Sequence, residues 1–463
     1  MAIAPVSPAA DDRPIDVIMA PFQRFMRVEA SAGILLIICT VIALVWANSP
    51  WRDSYHDIWH TYASVGFGDW KLKMSLAHFV NDGLMAIFFF VVGLEIKREL
   101  LVGELASLKK ASIPIAGALG GMIGPAVVFV LAVTMLGGEG VDKGWAIPMA
   151  TDIAFVVGIM AILGPRVPFG LKVFVTALAI VDDIGAVLVI AIFYTDTISL
   201  PAILVATGLL VLSATMNKLH VRSPLVYGLI GFAMWLMLLR SGVHATIGGV
   251  LLALTIPSRV RIDGAHFVGF ARKAVDEFEA AGGNVDDIMT NPRRQSVVQG
   301  LEEACEHVQT PLGRLEHGLH TWVAFLIVPI FALANAGVSF GSIGTDAVSG
   351  GLGPGIALGL VIGKPIGITI GTLIAVKIGL GILPAGTRWS QIVGAGFLAG
   401  IGFTMSLFIA NLGFKGEDET NLLMIAKIGI LAGSLVSVLI GFAILWFTAG
   451  RAPDDVEPAS DRT

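Results

Sequence analysis

Six ionisable side chains fall inside stretches of this sequence that are otherwise apolar: Asp82, Asp152, Asp182, Asp183, Lys364 and Lys427. A charge withdrawn from water costs on the order of 3 kcal/mol or more in a membrane helix, so each is a functional candidate by default. Asp182 and Asp183 are adjacent, and neighbouring side chains on a helix diverge by about 100°. They therefore meet different surroundings. Two carboxylates close together in a low-dielectric site resist joint ionisation, and their titrations are coupled. Lys364 opposes that by pairing with one of them. Such a cluster holds protons or a hard cation, because carboxylate oxygens suit Na⁺ or Li⁺ as they suit other hard ions. A site that takes a proton or a cation, never both, is all that an exchanger requires.

Asp152 offers a second role. It follows Pro148 and Thr151 in a stretch that Pro interrupts, since Pro removes a backbone donor. A carboxylate beside half-helix N-termini offsets their positive dipoles, and Thr151 is a candidate cap for one exposed end. Asp82 by itself could be a satisfied buried polar group. Lys427 lies in the second turn of its stretch, where a long side chain can snorkel to the interface. His244 follows Ser241-Gly242-Val243 and reads best as a hydrogen-bonded structural histidine.

The elements that must position these residues follow from composition. Of 463 residues, 55% are hydrophobic and only 14% charged, with a mean hydropathy of +0.83. Soluble domains run about 25% charged. A chain this long cannot cover a soluble surface with so few charges, so the lipid bilayer is its solvent. The net charge of −5 says little about partners, and no basic stripe points to nucleic acid. Cys39 lies in an apolar stretch and Cys305 in a polar one, which is no disulfide framework. Residues 1–28 are polar and show no cleavable signal peptide, so the first span directs insertion.

About twelve apolar stretches are long enough to be spans: 31–48, 75–95, 111–134, 145–163, 171–194, 199–216, 224–239, 241–257, 320–336, 354–377, 389–411 and 421–447. Only Arg240 separates the seventh from the eighth. With the N-terminus inside, fifteen Lys and Arg fall in short inside segments and six in outside ones. The positive-inside rule then puts both termini in the cytoplasm. The domains are a cytoplasmic segment 1–28, a transmembrane region 29–447 and a cytoplasmic tail 448–463. Alternation around Gly68-Asp69 predicts an external hairpin near 65–74. The long loop 258–319 is the one soluble-looking segment, with ten acidic and five basic residues between Asp263 and Glu316. It reads as a linker or small cytoplasmic cap, with an amphipathic helix from Arg293 to Gln309.

Span edges put Asp152, Asp182 and Lys364 near one depth. A weak internal repeat supports that. Gly120-Gly121-Met122-Ile123-Gly124-Pro125 in the third span resembles Gly359-Leu360-Val361-Ile362-Gly363-Lys364-Pro365 in the tenth, and the two spans run in opposite directions. The central spans of the two units are both interrupted, the fourth at Pro148 and the eleventh at Gly394, Gly396, Gly400 and Gly402. The fold class is therefore an all-α membrane protein of about 12 transmembrane helices. Inverted-topology repeats comprise spans 3–5 and 10–12, and spans 4 and 11 are broken.

Seven blocks carry a resemblance to a known family. They are Asn81-Asp82-Gly83-Leu84-Met85-Ala86; Val92-Gly93-Leu94-Glu95-Ile96-Lys97-Arg98-Glu99; Gly144-Trp145-Ala146-Ile147-Pro148 with Ala150-Thr151-Asp152-Ile153-Ala154-Phe155; Ala177 to Ala186 around Asp182-Asp183; Ser241 to Thr246; Ile362-Gly363-Lys364-Pro365; and Gly400-Ile401-Gly402-Phe403-Thr404-Met405-Ser406. In this order, over nearly all of residues 20–447, they make the chain resemble the NhaA-type sodium/proton antiporters of bacterial inner membranes. Broken helices at matching positions of inverted repeats mark a transporter's binding site, a rule of which this family is itself a known example.

The resemblance implies a secondary active transporter rather than an enzyme, without a cofactor. It would export Na⁺ or Li⁺ in exchange for a larger number of H⁺, serving Na⁺ and pH homeostasis. It implies that Asp182 and Asp183 are the ion-binding pair and Na⁺/Li⁺ ligands, with Asp183 the direct one. Lys364 would pair with Asp182, Thr151 and Asp152 would sit on crossed, unwound helices, and Asp82 would support the site. It further implies alternating access, a homodimer joined through the external hairpin, and a pH-responsive cytoplasmic mouth. Candidates there are Glu95, Arg98 and Glu99 with Glu316, His317 and His320, since histidine titrates near neutrality. An ordinary solvated helix end is the competing reading of those six. One departure is Gly313, where well-known members carry a lysine. The preceding loop is also several tens of residues longer than in the shortest members.

Other classes remain open on residues alone. An intramembrane aspartyl protease also needs two membrane carboxylates sharing a proton. Lys364 and the absence of a Tyr-Asp pair count against it. A sodium-coupled symporter needs a roomier site. A passive cation channel would be obstructed by a buried lysine.

Overall fold

In hydrocarbon every backbone N–H and C=O must find a partner within the chain, which leaves helices as the natural solution for apolar stretches of this length. The computed structural model describes residues 31–67, 70–195, 198–282, 291–339, 350–416 and 419–448. Segment 1–28, the tail beyond 448 and the hairpin tip at Gly68-Asp69 lie outside them.

The helices, in chain order, are α1 (Ser31–Ala47) and α2 (Arg52–His60), then, after the hairpin, α3 (Leu76–Val102) and α4 (Leu108–Met135). The fourth span comprises α5 (Val141–Gly144), a 3₁₀ turn at Ile147–Met149 and α6 (Ile153–Leu163). There follow α7 (Phe169–Phe193), α8 (Leu200–Lys218), α9 (Pro224–Leu239) and α10 (Ala245–Thr255). The long loop contains α11 (Gly264–Ala280) and α12 (Pro292–Val308). The chain then runs through α13 (Pro311–Asn335), α14 (Leu352–Lys377), α15 (Trp389–Ala399), α16 (Phe403–Gly413) and α17 (Thr420–Thr448).

Among the described residues, eight helical segments are long and apolar enough to cross a bilayer. The bent pair α15–α16, the 17-residue α1 and the shorter α9 and α10 complete the twelve spans expected from hydropathy. The seventh and eighth spans are separate helices, with residues 240–244 turning between them. The hairpin forms as β1 (Tyr62–Phe67) and β2 (Trp70–Ser75), antiparallel with Tyr62 opposite Ser75. The expected loop helix appears as α12. Two elements escaped the periodicity. One is α11, whose Asp263 caps the backbone N–H of His266 at 2.8 Å. The other is α2, bent by 112° from α1. The ninth span also begins earlier, at Pro311 rather than 320, because Thr310 caps the Gly313 N–H at 3.0 Å. That places Glu316, His317 and His320 on the span helix itself.

Two compact units emerge. The first draws on the described parts of Met1–Asp57, Ser112–Asp182 and Val328–Thr463; the second spans Ile58–Ala111 and Asp183–Ile327. In the first, α4 and α14 approach so closely that only glycine fits. A Cβ on Gly120 would lie 2.0 Å from the Gly367 carbonyl oxygen, and one on Gly367 would lie 2.0 Å from that of Gly120. Small residues of this kind are the usual glue of membrane helices. The reciprocity is what two oppositely running copies of one motif produce. In the second unit, α3 packs along α10, and Lys97 donates to the carbonyls of Leu254 at 2.7 Å and Ile256 at 2.5 Å. Its charge offsets the negative end of α10. Three segments widen to π-helix: Phe79–Leu84, Val323–Ile327 and Gly359–Gly363. π-Bulges often mark functional positions. The first holds Asp82, and the third delivers Lys364.

Candidate ion-binding site

The site in the first unit starts from two helix breaks. Residues 150–152 and 400–402 are non-helical, and the two breaks hydrogen-bond to each other. The Asp152 N–H donates to the Ile401 carbonyl at 2.7 Å. The Ser406 hydroxyl donates to the Ile147 carbonyl at 2.6 Å. Each break frees backbone groups, and the partner break supplies what satisfies them.

Asp152 does more than begin α6. Its Oδ1 accepts the Phe155 N–H at 3.2 Å, the N-cap bond of α6. Its Oδ2 accepts the Thr404 N–H at 3.1 Å and the Thr404 hydroxyl, at the start of α16. One buried carboxylate thus faces the positive ends of two half-helices. Thr151 behaves otherwise than expected. Its hydroxyl donates to the Ala399 carbonyl at 2.9 Å, so it serves the C-terminal end of α15 instead of capping an N-terminus. The N-cap position is Asp152.

Lys364 is wholly buried, and its Nζ donates to Asp182 Oδ2 at 2.7 Å and to the Met149 carbonyl. The lysine therefore ties the break before α6 to the carboxylate on α7. The other oxygen, Asp182 Oδ1, is buried without a hydrogen-bond partner. A buried acceptor left bare costs about 1–3 kcal/mol, and a charged one more. Asp183, the next residue on α7, is 3% exposed. It does not face lipid.

Thr404 was missed as a site residue. The signal was available: a hydroxyl two residues after Gly402 falls in the first turn of a half-helix, where backbone N–H groups still need partners. The main-chain acceptor at Met149 had no sequence signal.

The remaining candidates lie in the second unit. Asp82 pairs with His78 at 2.9 Å, and its carbonyl accepts the Trp235 indole N–H at 3.1 Å. Both partners belong to the second unit. Arg98 joins Glu316 at 2.7 Å and Glu99 at 3.1 Å, linking α3 to α13. Glu99 also accepts the Glu104 N–H at 3.0 Å. Glu95 is half-buried one turn before, while His317 and His320 are exposed on α13. The structure thus joins Arg98, Glu99 and Glu316 directly. His244 is buried with Nε2 2.6 Å from the Tyr194 carbonyl oxygen, in keeping with a structural histidine.

Fold and site together define an all-helical, multi-pass membrane protein in which two interrupted helices cross beside a buried carboxylate–lysine pair. The sequence profile of the Na⁺/H⁺ antiporter 1 family matches residues 23–445. A Na⁺/H⁺ antiporter NhaA of Koribacter versatilis is 50% identical over 457 residues, covering 98% of each chain. That of Oleidesulfovibrio alaskensis is 47% identical, covering 96% of this chain and 98% of the relative. That of Syntrophobacter fumaroxidans is 45% identical, covering 95% and 93%. The chain belongs to the Na⁺/H⁺ antiporter 1 family.

Proposed function

We propose that this protein is an electrogenic secondary antiporter of the bacterial inner membrane that exports Na⁺ or Li⁺ in exchange for protons. The observation that carries this reading is Asp182. One carboxylate oxygen is bound by Lys364, the other is bare, and both are sealed from water. A cation reaching Asp182 and Asp183 would bring a second positive charge beside the Lys364 ammonium. In a low dielectric that repulsion is severe. Ion and protons then exclude one another, and exchange follows from occupancy alone. The lysine also counts against an aspartyl protease, which needs its two carboxylates to share a proton.

The further parts of the reading rest on family likeness and on chemistry. Alternating access would move the crossed breaks, whose half-helices are held by hydrogen bonds to Asp152 rather than by continuous backbone. The Arg98–Glu99–Glu316 cluster with His317 and His320 is the candidate for pH regulation, in line with a role in Na⁺ and pH homeostasis. Both termini would lie in the cytoplasm, and the hairpin would join two copies. The test is ΔpH collapse on Na⁺ addition in inside-out vesicles. Asp183→Asn is expected to abolish it. Undiminished transport in that variant would reject Asp183 as the ligand, and an inert native protein would reject exchange itself.

A further inference from the structure

Asp182 Oδ1 has a counterpart. Thr372 is 0% exposed, and its hydroxyl oxygen likewise has no hydrogen-bond partner. Thr369, three residues earlier on α14, shows the usual remedy: its hydroxyl donates back to the Pro365 carbonyl at 2.7 Å. Thr372 does not use it.

The surroundings of Thr372 connect it to the site. Lys364, Ile368 and Thr372 are spaced by four and share one face of α14. A Cβ placed on Gly117 of α4 would lie 3.1 Å from Thr372 Oγ1, 3.0 Å from Leu178 Cδ1 and 3.4 Å from Phe174 Cζ. One placed on Gly121 would lie 2.8 Å from Ile368 Cγ1 and 3.8 Å from Lys364 Cε. On α7, Phe174, Leu178 and Asp182 are also spaced by four. A column therefore runs between three helices of the first unit. The Asp182–Lys364 pair is at one end and Thr372 at the other, about 12 Å along the axis from Lys364. Ile368 and Leu178, each 1% exposed, occupy the middle.

Each end of this column holds a buried oxygen without a partner, and each bare oxygen disfavours the closed arrangement. A state in which water enters the column beside Ile368 and Leu178 relieves both. Such differential stabilisation is what shifts a two-state equilibrium. We propose that Ile368 and Leu178 form an apolar gate, and that Thr372 is the polar step that draws water through it to Asp182 from the Lys377 end of α14. The opened column is the proton's route to the carboxylate. Gly117 keeps the space around the hydroxyl clear.

This inference rests on the exchange reading, and the native protein is the control that separates the two. Thr372→Val preserves shape and removes the hydroxyl. A merely structural threonine would leave exchange unchanged, and its loss would be neutral or stabilising. The gate predicts that melting in detergent is unchanged or raised, while the maximum exchange rate falls about tenfold, the worth of roughly one hydrogen bond. Thr372→Ser should restore the rate. Native exchange with an equally fast Thr372→Val variant would overturn the gate alone, whereas no native exchange would overturn both readings. A second measurement does not depend on the valine variant. In a Cys39→Ser, Cys305→Ser background, Thr372→Cys should react with a water-soluble maleimide during turnover. A thiol protected under every ion and pH condition would also overturn the proposal.

Discussion

Lys364 and Asp182 illustrate how a membrane protein keeps charge where charge is expensive. Neither side chain touches water, so each depends on the other. Removing one member of a buried pair strands its partner, at a cost of about 3–5 kcal/mol. Lys364→Ala is therefore expected to lower thermal stability in detergent as well as to alter exchange. Native-like melting would mean that the pair does not hold the fold. The same pair also explains why one oxygen of Asp182 is left bare. The lysine takes Oδ2 and the Met149 carbonyl, and no donor among the described side chains reaches Oδ1.

At the scale of elements, the site is made by interruption. The fourth and eleventh spans stop and restart, and their ends are satisfied by each other and by Asp152. A lost N-cap costs about 0.5–2 kcal/mol, and here one side chain caps two helices. Asp152→Ala should destabilise by roughly twice a single cap. Asp152→Asn keeps an acceptor oxygen but removes the charge, so it should fall between alanine and the native residue in chemical denaturation. An alanine variant as stable as asparagine would remove the double cap from the account. Beside this crossing, the glycine faces of α4 and α14 allow backbone contact where any side chain would collide. Close packing of that kind lets Gly120 and Gly124 on α4 bear directly on the helix that carries Lys364.

For the molecule as a whole, composition already demands a bilayer, and the hairpin β1–β2 is the one paired-strand element among the described residues. Its strands are paired over six residue pairs. An isolated two-stranded hairpin is marginal in water, which favours a role in contact with another copy. Deleting Tyr62–Ser75 and bridging the ends with a short Gly-Ser linker should convert a dimer to a monomer in cross-linking and light scattering, with exchange retained. Persistence of the dimer would place the contact elsewhere.

Spans and their number were legible in the sequence, because hydropathy and length report directly on a slab of fixed thickness. So were the family blocks and the two interrupted spans, since Pro and clustered Gly break helices by local chemistry. What only the tertiary structure decided was partnership. Thr404 and Met149 meet Asp152 and Lys364 across more than two hundred residues of chain, and Thr151 turned out to serve a carbonyl on the far break. Bare oxygens on Asp182 and Thr372 were equally invisible in one dimension. Whether a polar atom is satisfied depends on what folds against it, and a string of residue types does not carry that distance.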